Sequence, residues 1–370
     1  MKILEANVDD IGMNGVYALV CSIVKNRPSE DTVDMAAYEH FEEKSDIERL
    51  RKVGCAVHYV GYEGNKIAKQ FVCYSKLKSL IVSGKYDCVH IHSDVAYKHL
   101  VMSLAAKSAG CPKIVIHSHA SNVDGQRFRW LKVIAHKLCR RLLRFTGTDF
   151  VTCSDLAGRW MFPNIPAEKV DFLKNGIDVD AFRLNMETRL RIRREMGLEG
   201  NFVIGHVGRF SYQKNHDFLL RVFKMVKEQD DNAVLLLIGK GELLEASKRQ
   251  AKELGVSESV IFYGPADNVN ELMQAIDVFV LPSHLEGLPI VGVEAQAAGL
   301  PCIFSDLVTR EANIAGTVQY LPIDEHDEDR WATAIADKRN EERRDTSSSV
   351  KNSAFSVTDT VNTLWKIYKR

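Results

Sequence analysis

The sequence predicts an α/β fold built from two Rossmann-like, doubly wound domains that face each other across a cleft. Short apolar runs of strand length alternate with helical patterns along the chain, which is typical of a parallel sheet covered by helices. A second series of such runs begins at Phe202, after a polar and charged stretch over 179–200. The 370 residues are enough for two hydrophobic cores.

The apolar runs locate the strands of both domains. The first series predicts strands near 2–7, 32–37, 56–60, 86–91, 113–118, 149–153 and 169–173. The second series predicts strands at 202–207, 233–238, 259–262, 276–281, 301–304 and 317–321. We therefore predict an N-terminal domain over 1–185 and a C-terminal domain over 186–352. The final segment, 353–370, is amphipathic with Trp365 among its apolar positions, and it is expected to pack back on the N-terminal domain as a helix.

Composition indicates a globular protein with an uneven charge distribution. Hydrophobic residues make up 45% of the chain and charged residues 26%, so no long disordered part is expected. The formal net charge is zero, but residues 1–185 hold 26 Lys and Arg against 21 Asp and Glu, whereas the remainder holds 23 against 28. The N-terminal half is therefore the better candidate for contact with an anionic surface.

The cysteines and the apolar runs predict the compartment. The eight cysteines are scattered without a Cys-x-x-Cys pair or a His/Cys ligand spacing, which favours reduced thiols in a cytosolic protein and no bound metal. The N-terminal residues turn acidic too soon for a signal peptide, and no apolar run approaches the roughly 20 residues that span a bilayer. We expect a cytoplasmic protein whose only contact with the inner face of the cytoplasmic membrane is peripheral.

Glu286 and Glu294 are the most informative residues of the chain. The run 276–281 reads as a buried strand, 283–288 as the loop that follows it, and Pro289 suits the first position of a helix. Ligands of open α/β sheets bind outside the carboxyl ends of strands, where a helix N-terminus attracts anions. Backbone donors for phosphate and carboxylates for hydroxyls together suit a phosphorylated sugar, although two solvated glutamates at this spacing are the plainer alternative.

Three other strand ends in the second domain carry candidate ligand groups. Arg209 and Lys214 follow the strand at 202–207 and could converge on a diphosphate, although loop cations are usually solvated. Gly239 begins a glycine loop that lets backbone approach a ligand, but the following residues do not complete a Gly-x-Gly-x-x-Gly fingerprint. Tyr263 ends the next strand and could offer its backbone to a nucleobase or belong to an ordinary turn.

The first domain offers a glycine turn and a group of histidines. Gly15 closes the turn 12–15 between the first strand and its helix, whose N–H groups could face the cleft, unless the turn is merely flexible. His92 follows one strand, and His117 and His119 end the next. A single histidine is more often a structural residue than a functional one, but three at neighbouring strand ends favour a site, and His119 is the one we expect to face the cleft.

Residues 127–145 predict a basic amphipathic helix. Seven Lys and Arg residues and no acid occur in this interval. They surround an apolar face that consists of Leu131, Ile134, Ala135, Leu138, Leu142 and Phe145. The helix could rest on anionic lipid headgroups, or it could be a domain helix with a basic outer face. RNA binding is not predicted, because no nucleic-acid-binding module accompanies the charge.

The motifs of the second domain together resemble those of the retaining glycosyltransferases of the GT-B fold, family 4. The resemblance rests on Gly208-Arg209 with Lys214-Asn215, the glycine loop at 239–241, Pro282-Ser283 before Glu286-x7-Glu294, and the segment 297–301. It covers nearly the whole second domain in order. The first domain is similar to the family more loosely, through Gly15, His92, the segment 117–119, Ser154 and the turn 175–178.

The resemblance implies roles for individual residues. Arg209 and Lys214 would bind the donor diphosphate, Glu294 the ribose hydroxyls, and Glu286 the donor sugar near its anomeric centre. Gly287 and Leu288 would offer backbone N–H groups, and His119 would lie against the sugar on the acceptor side. Gly15 would let the first-domain loop approach the phosphates, although the usual Gly-Gly pair is here Asn14-Gly15.

The resulting prediction is a hexosyltransferase that uses a nucleoside-diphosphate sugar, expected to be UDP-linked, and a glycan or lipid-linked acceptor. Its expected setting is the assembly of capsule, exopolysaccharide or lipopolysaccharide. Catalysis is expected to need no metal, because Arg209, Lys214 and helix dipoles can stabilise the charge on the leaving phosphate. The alternatives are a GT-B sugar-nucleotide epimerase and a non-catalytic nucleotide-sugar-binding protein. A nicotinamide oxidoreductase is disfavoured by the missing glycine fingerprint.

Overall fold

The chain forms two compact α/β units in a computed structural model that describes residues 1–10, 15–42, 44–119, 129–286, 288–324, 326–353 and 355–370. The first unit consists of Met1–Gly176 together with Val357–Arg370, and the second of Ile177–Ser356. The boundaries between the two units thus fall after Gly176 and after Ser356, whereas the sequence predicted domain boundaries after residues 185 and 352. The second unit begins earlier because Ile177 forms a β-bridge with Ser356 and the next helix packs within that unit.

The first unit is built on a seven-stranded sheet of parallel strands in the order β3-β2-β1-β4-β5-β6-β7. Its strands are β1 Lys2–Ala6, β2 Thr32–Ala37, β3 Val57–Tyr59, β4 Cys88–Ser93, β5 Lys113–Ser118, β6 Asp149–Thr152 and β7 Val170–Phe172. The helices that connect them are α1 Gly15–Asn26, α2 Lys44–Lys52, α3 Lys66–Gly84, α4 Ala96–Ser108, α5 Arg129–Cys139 and α6 Asp155–Met161. The strand order reverses once, between β1 and β4.

The second unit repeats this plan on a six-stranded parallel sheet in the order β10-β9-β8-β11-β12-β13. Its strands are β8 Phe202–Val207, β9 Ala233–Ile238, β10 Val260–Gly264, β11 Val278–Leu281, β12 Cys302–Ser305 and β13 Val318–Leu321. Its helices are α7 Val179–Phe182, α8 Met186–Glu195, α9 His216–Gln229, α10 Leu244–Glu253, α11 Val269–Ala275, α12 Ile290–Ala297, α13 Glu328–Asp337 and α14 Ser347–Lys351. The reversal lies between β8 and β11.

The last helix of the chain, α15 (Val357–Tyr368), belongs to the first unit. Its buried side chains Leu364 and Trp365 lie in the same hydrophobic cluster as Ile3, Val20 and Val115. The Thr360 hydroxyl accepts a hydrogen bond from the Gly176 N–H at 2.9 Å. The helix therefore completes the core of the unit with which the chain begins.

The strand predictions are confirmed, because each of the thirteen predicted segments overlaps a strand of the two sheets. Both sheets are covered by helices, so their inner strands are buried on both faces and read as largely apolar runs, whereas edge strands such as β7 and β13 stay partly exposed. Val278–Leu281, for example, is buried throughout. Such runs are the strongest signal that a sequence carries for a parallel sheet.

The helix predicted at 127–145 is wrong in length. Residues 127 and 128 lie outside the described residues, α5 ends at Cys139, and a separate 3-10 turn covers Leu143–Phe145. The Thr146 hydroxyl donates to the Leu143 carbonyl at 3.2 Å and accepts from the Ser103 hydroxyl at 2.8 Å. These bonds and the burial of Leu143 hold a tight turn, so the periodic pattern does not continue as one helix.

Replacing Leu364 by alanine should destabilise the first unit specifically. Leu364 is completely buried in α15, and a cavity of this kind costs about 2–5 kcal/mol. We expect amide hydrogen exchange to accelerate in β1, β4 and β5 and to stay unchanged in β8 to β13. Asn362→Ala, at an exposed position of the same helix, is the matched control. Equal acceleration in both sheets would contradict the assignment of α15 to the first unit.

Candidate active site

Two loops of the second unit bring together a buried ion pair. The loop after β8 ends in a 3-10 turn with Lys214, and the loop after β11 carries Glu286. Lys214 Nζ lies 2.5 Å from Glu286 Oε1, and the two side chains are only 14% and 9% exposed. The Ser283 hydroxyl donates to the same oxygen at 3.0 Å, and Gln213 Nε2 lies 3.3 Å from the other. Sequence reasoning placed both residues at the site but did not predict that they pair.

Glycines allow the loop after β8 to lie directly against the loop after β9. Gly239 has a φ of +141°, and a Cβ there would lie 2.1 Å from the Gly208 carbonyl oxygen. A Cβ on Gly241 would lie 2.4 Å from the carbonyl oxygen of Phe210, whose N–H donates to the Lys240 carbonyl at 3.0 Å. The close neighbour of Gly239 is thus a protein backbone, where the sequence had suggested a ligand. The two loops fix the position of the backbone that carries Arg209.

Arg209 is paired with an exposed carboxylate. Its guanidinium lies 3.1 Å from Glu242 Oε2, and both side chains are about half exposed. Exposed pairs of this kind contribute roughly 0–1 kcal/mol, so the guanidinium can exchange Glu242 for a phosphate at little cost. Sequence reasoning assigned Glu242 no role at the site.

Glu294 is a half-buried carboxyl group that forms no hydrogen bond or ion pair with any described residue. It lies in the second turn of α12, as the sequence indicated. Burial raises the pKa of Glu294 to about 7. A carboxyl group held in a partly apolar position without a protein partner is typical of a ligand site.

The N-terminal end of α12 and the end of β10 carry the remaining candidates of the second unit. Pro289 caps the helix without a side-chain hydrogen bond, and Leu288 packs partly against the core. Gly287 lies outside the described residues. Tyr263 is 41% exposed at the end of β10, so its ring is accessible.

In the first unit, His119 is the half-buried end of a hydrogen-bonded chain. Its Nε2 lies 2.8 Å from His92 Nδ1, and His92 Nε2 lies 2.6 Å from Glu5 Oε2. His119 Nδ1 is buried and has no hydrogen-bond partner among the described residues. Gly15 begins α1, with nothing within 4 Å of a Cβ built on it, and the preceding residues 11–14 lie outside the described part of the chain.

A second branch of the same network is completely buried. Tyr368 in α15 donates to Glu5 Oε1 at 3.1 Å, and its oxygen lies 2.7 Å from His90 Nδ1. His90 Nε2 in turn lies 3.1 Å from His117 Nδ1. One nitrogen each from His90, His92 and His117 lies within 4.8 Å of the others, a spacing that a cation could bridge. Since most of these nitrogens already bond to one another, to Glu5 or to Tyr368, the cluster is better described as a hydrogen-bond network.

Sequence reasoning missed Glu5, His90 and Tyr368. Glu5 had a usable signal, because a charged residue between the buried apolar residues Leu4 and Ala6 of a short strand must find a buried partner. His90 alternates with His92 and therefore shares its sheet face. Tyr368 had no local signal, since its contact depends on where the last helix returns.

Two family models match the chain, one in each half. "Glycosyl transferases group 1" matches residues 188–353, and "Glycosyltransferase Family 4" matches residues 31–181. EpsF of Bacillus subtilis (strain 168), which is named as a glycosyltransferase, is 35% identical over 293 residues, or 78% of this chain and 75% of EpsF. The UDP-Gal:alpha-D-GlcNAc-diphosphoundecaprenol alpha-1,3-galactosyltransferase of Escherichia coli is 28% identical over 70% of this chain and 68% of its own length.

Solved structures share the fold at low identity. The Anabaena protein Alr3699/HepE, in complex with UDP and glucose, covers 100% of this chain and 99% of its own, with a TM-score of 0.78 and 17% identity. This likeness shows the GT-B fold. Together with the matches of sequence, it establishes that the chain belongs to the family 4 glycosyltransferases of the GT-B fold, and the enzyme is a hexosyltransferase.

The pH dependence of stability should report the unusual pKa of Glu294. Its pKa of about 7 in the folded chain lies above the ordinary 4.5, so the folded chain binds the proton more tightly than the unfolded chain. The stabilisation by the neutral carboxyl is complete below pH 4.5 and is lost as the pH rises through about 7. We expect the wild type to lose stability relative to Glu294→Gln across this window, as measured by thermal unfolding at a series of pH values.

Glu328 provides a control of opposite sign in the same unit. Burial opposes its ionisation, but the Arg221 guanidinium outweighs burial and lowers the pKa of Glu328. The ionised Glu328 stabilises the folded chain above its ordinary pKa, and this stabilisation is lost as the pH falls. Below pH 4.5 the wild type should therefore lose stability relative to Glu328→Gln as the pH decreases. If the difference in unfolding temperature between the wild type and Glu294→Gln stayed the same at every pH, the raised pKa of Glu294 would be ruled out.

Proposed function

We propose that this enzyme is a retaining glycosyltransferase that transfers a hexose from a UDP-sugar to a glycan or a lipid-linked acceptor during the assembly of a cell-surface polysaccharide. The observation that carries the proposal is the Glu294 carboxyl, which has no partner in the described part of the chain and lies in the unit that also holds Lys214 and Arg209. Ribose hydroxyls can donate hydrogen bonds to Glu294, and the two cations are suited to a diphosphate. The unit thus offers complementary groups for both parts of a nucleoside diphosphate.

The choice of UDP is supported by the relatives. The Escherichia coli relative is named for UDP-Gal and for a diphosphoundecaprenol-linked acceptor, and the Anabaena structure contains UDP and glucose. The same names support a lipid-linked or glycan acceptor. Tyr263 lies near the end of β10, where we propose that its backbone meets the nucleotide, and Gly239 supports this edge by admitting the Gly208 backbone.

We propose that departure of the diphosphate is assisted by protein charges and needs no metal. Breaking the bond between the anomeric carbon and the diphosphate oxygen leaves negative charge on the β-phosphate. Lys214, Arg209, the N-terminal N–H groups of α12 and the N–H of Leu288, which precedes the helix, can stabilise that charge. The diphosphate leaves with the electron pair, the acceptor oxygen forms a bond to the anomeric carbon, and the acceptor proton passes to the leaving phosphate.

The contacts of Glu286 favour a positioning role over a nucleophilic one. Oε1 contacts both Lys214 and Ser283, and Oε2 lies within 3.3 Å of Gln213. A carboxylate with these partners has few lone pairs left for attack on carbon, whereas it holds the Lys214 ammonium firmly. We therefore propose retention by reaction on one face of the sugar, with the leaving phosphate assisting the acceptor hydroxyl and with His119 contacting the sugar.

Peripheral membrane contact is supported by the exposed apolar face of α5. Trp130, Leu131, Ile134 and Leu138 are 64%, 46%, 48% and 59% exposed. Arg129, Lys132 and Lys137 lie on the same short helix. Apolar side chains exposed beside basic ones suit an anionic lipid surface, which would bring the enzyme to a lipid-linked acceptor at the inner face of the cytoplasmic membrane. Among the described residues, no helix is long and apolar enough to cross a membrane.

A sugar-nucleotide epimerase is the alternative enzyme that uses a similar donor site. It would convert the donor without adding the sugar to an acceptor. Product analysis with and without added acceptor separates the two activities, because only the transferase forms a larger glycoside that depends on the acceptor.

Glu294→Ala should weaken donor binding. The purified chain without added metal should be stabilised against heat by UDP-glucose or UDP-galactose, because only the folded state binds them. Loss of two charge-assisted hydrogen bonds of about 1.5–3 kcal/mol each should raise Kd by at least tenfold in isothermal titration. Glu242→Ala, which removes an exposed carboxylate near Arg209, is the control that should retain binding. If only GDP-sugars stabilised the chain, the proposed donor would be a GDP-sugar instead of a UDP-sugar. If no nucleotide sugar stabilised it, the proposed function would be wrong.

The double variant Ile134→Ser and Leu138→Ser should bind anionic membranes more weakly. Each apolar side chain contributes about 1.5–3 kcal/mol when fully buried. Partial insertion of the two side chains into the membrane therefore predicts that the double variant loses at least tenfold in vesicle affinity. Sedimentation with phosphatidylglycerol vesicles measures binding, and phosphatidylcholine vesicles show whether negative charge is needed. Ile67→Ser with Phe71→Ser is the matched control, because both side chains are exposed on α3. Equal losses for the two double variants, or none for the α5 variant, would contradict contact through α5.

A further inference from the structure

We propose that Glu5 and His92 form a hydrogen-bond relay that fixes the tautomer of His119, so that His119 presents a bare Nδ1 to a hydroxyl group of the bound sugar. Glu5 and His92 would be positioning residues, since both act through His119. The proposal rests on the proposed function only for the identity of the ligand. The relay itself lies wholly within the first unit.

The sheet arranges the relay on one of its faces. Glu5 in β1 pairs in register with His90 in β4, and His92 in β4 pairs with His117 in β5. Cross-strand partners and residues two apart share a face of a sheet. His119 follows β5 directly, so Glu5, His92 and His119 succeed one another across three neighbouring strands.

The direction of each hydrogen bond follows from the charge of Glu5. An ionised carboxylate only accepts, so the proton of His92 must be on Nε2, which lies 2.6 Å from Glu5 Oε2. The Nδ1 of a neutral His92 is then an acceptor, and His119 must donate to it from Nε2 across 2.8 Å. The remaining nitrogen of a neutral His119, Nδ1, carries no hydrogen.

The pKa directions agree with these charge states. Burial opposes the ionisation of Glu5, but His90 and His92 outweigh it and hold the pKa of Glu5 below its ordinary value. Burial lowers the pKa of His92 to about 4, and burial together with the neighbouring His92 lowers the pKa of His119 well below 6.5. The carboxylate is charged and both imidazoles are neutral at neutral pH.

His119 differs from the other branch of the network in its access to a ligand. His117 also ends a branch with an unpartnered nitrogen, but its side chain is completely buried in β5. His119 lies beyond the strand end and is half-buried. Ligands of such sheets bind at this edge, which His119 borders and His117 does not. The Nδ1 atom of His119 is itself buried there, so a sugar hydroxyl that bonds to it must displace the neighbours that cover it.

Tyr368 extends the relay to the last helix. Its hydroxyl donates to Glu5 Oε1, the oxygen that His92 does not use. The carboxylate is therefore held on both sides, and its orientation toward His92 depends on the docking of α15. Such supporting hydrogen bonds determine which nitrogen of a histidine is available.

Nuclear magnetic resonance of the full chain tests the tautomer directly. Two-bond ¹H–¹⁵N correlation spectra of ¹⁵N-histidine-labelled protein at neutral pH, with His119 assigned from the His119→Gln spectrum, should show His119 as the Nε2–H tautomer. In His92→Phe the signal should shift toward a mixture of tautomers. With a nucleotide sugar that supports turnover, kcat/KM should fall about 10- to 100-fold, the usual effect of removing such a supporting partner, while the thermal shift produced by UDP is kept.

The controls separate a relay from a structural effect. His99→Gln replaces another buried histidine, which contacts the Ser93 carbonyl outside the relay, and should leave the His119 signal unchanged and kcat/KM within twofold. Glu5→Gln preserves shape and should also mix the tautomers, which covers the case that His92→Phe does not fold. An Nδ1–H tautomer in the wild type would overturn the proposal, as would spectra that neither variant changes. If no nucleotide sugar is turned over, the proposed function fails while the spectra still decide on the relay.

Discussion

The reversal of strand order in each parallel sheet is the constraint on which the candidate site depends. In the second unit it makes β8 and β11 neighbours although β9 and β10 separate them in sequence. The connections that leave these two strands run to opposite sides, so a crevice forms where they part. Lys214 and Glu286 leave from these strands and meet there. The first unit has the same reversal between β1 and β4, the strands that carry Glu5 and His92.

The Lys214–Glu286 pair depends on the hydrogen bonds and close contacts that surround it. Two charges taken out of water pay a desolvation penalty that their attraction offsets only with good geometry and further hydrogen bonds. Ser283 and Gln213 supply those bonds. Gly239 and Gly241 let neighbouring backbones approach closely, and Gly208 leaves room for the Lys214 side chain, whose Cε would lie 3.0 Å from a Cβ there. The exposed Arg209–Glu242 pair has no such support, so the two cations of the site differ in how readily they can change partner.

The sequence predicted elements better than it predicted partners. The inner strands were recognisable because strands buried on both faces are largely apolar runs, and the edge strands because they recur at regular spacing between helical patterns. Glu286 and Glu294 were placed correctly relative to β11 and α12 by local pattern alone. The pairing of Lys214 with Glu286 was not predictable, because it requires the strand order. The contact between Tyr368 and Glu5 joins residues 363 positions apart and requires the docking of the last helix. The length of α5 was overestimated because periodicity does not register a turn held by Thr146 and Ser103.

The histidines near Lys214 explain how positive charge is confined at this site. Burial lowers the pKa of His206 to about 3, and burial with the neighbouring His206 lowers the pKa of His216 well below its ordinary value. Both rings are therefore neutral beside the Lys214 ammonium, and His216 stacks on Phe210 with the rings 4.0 Å apart. A charged imidazole there would repel Lys214 and compete for Glu286. Because the imidazoles stay neutral, the ammonium keeps its carboxylate partner, and a phosphate that binds beside the pair meets a cation whose position is already fixed.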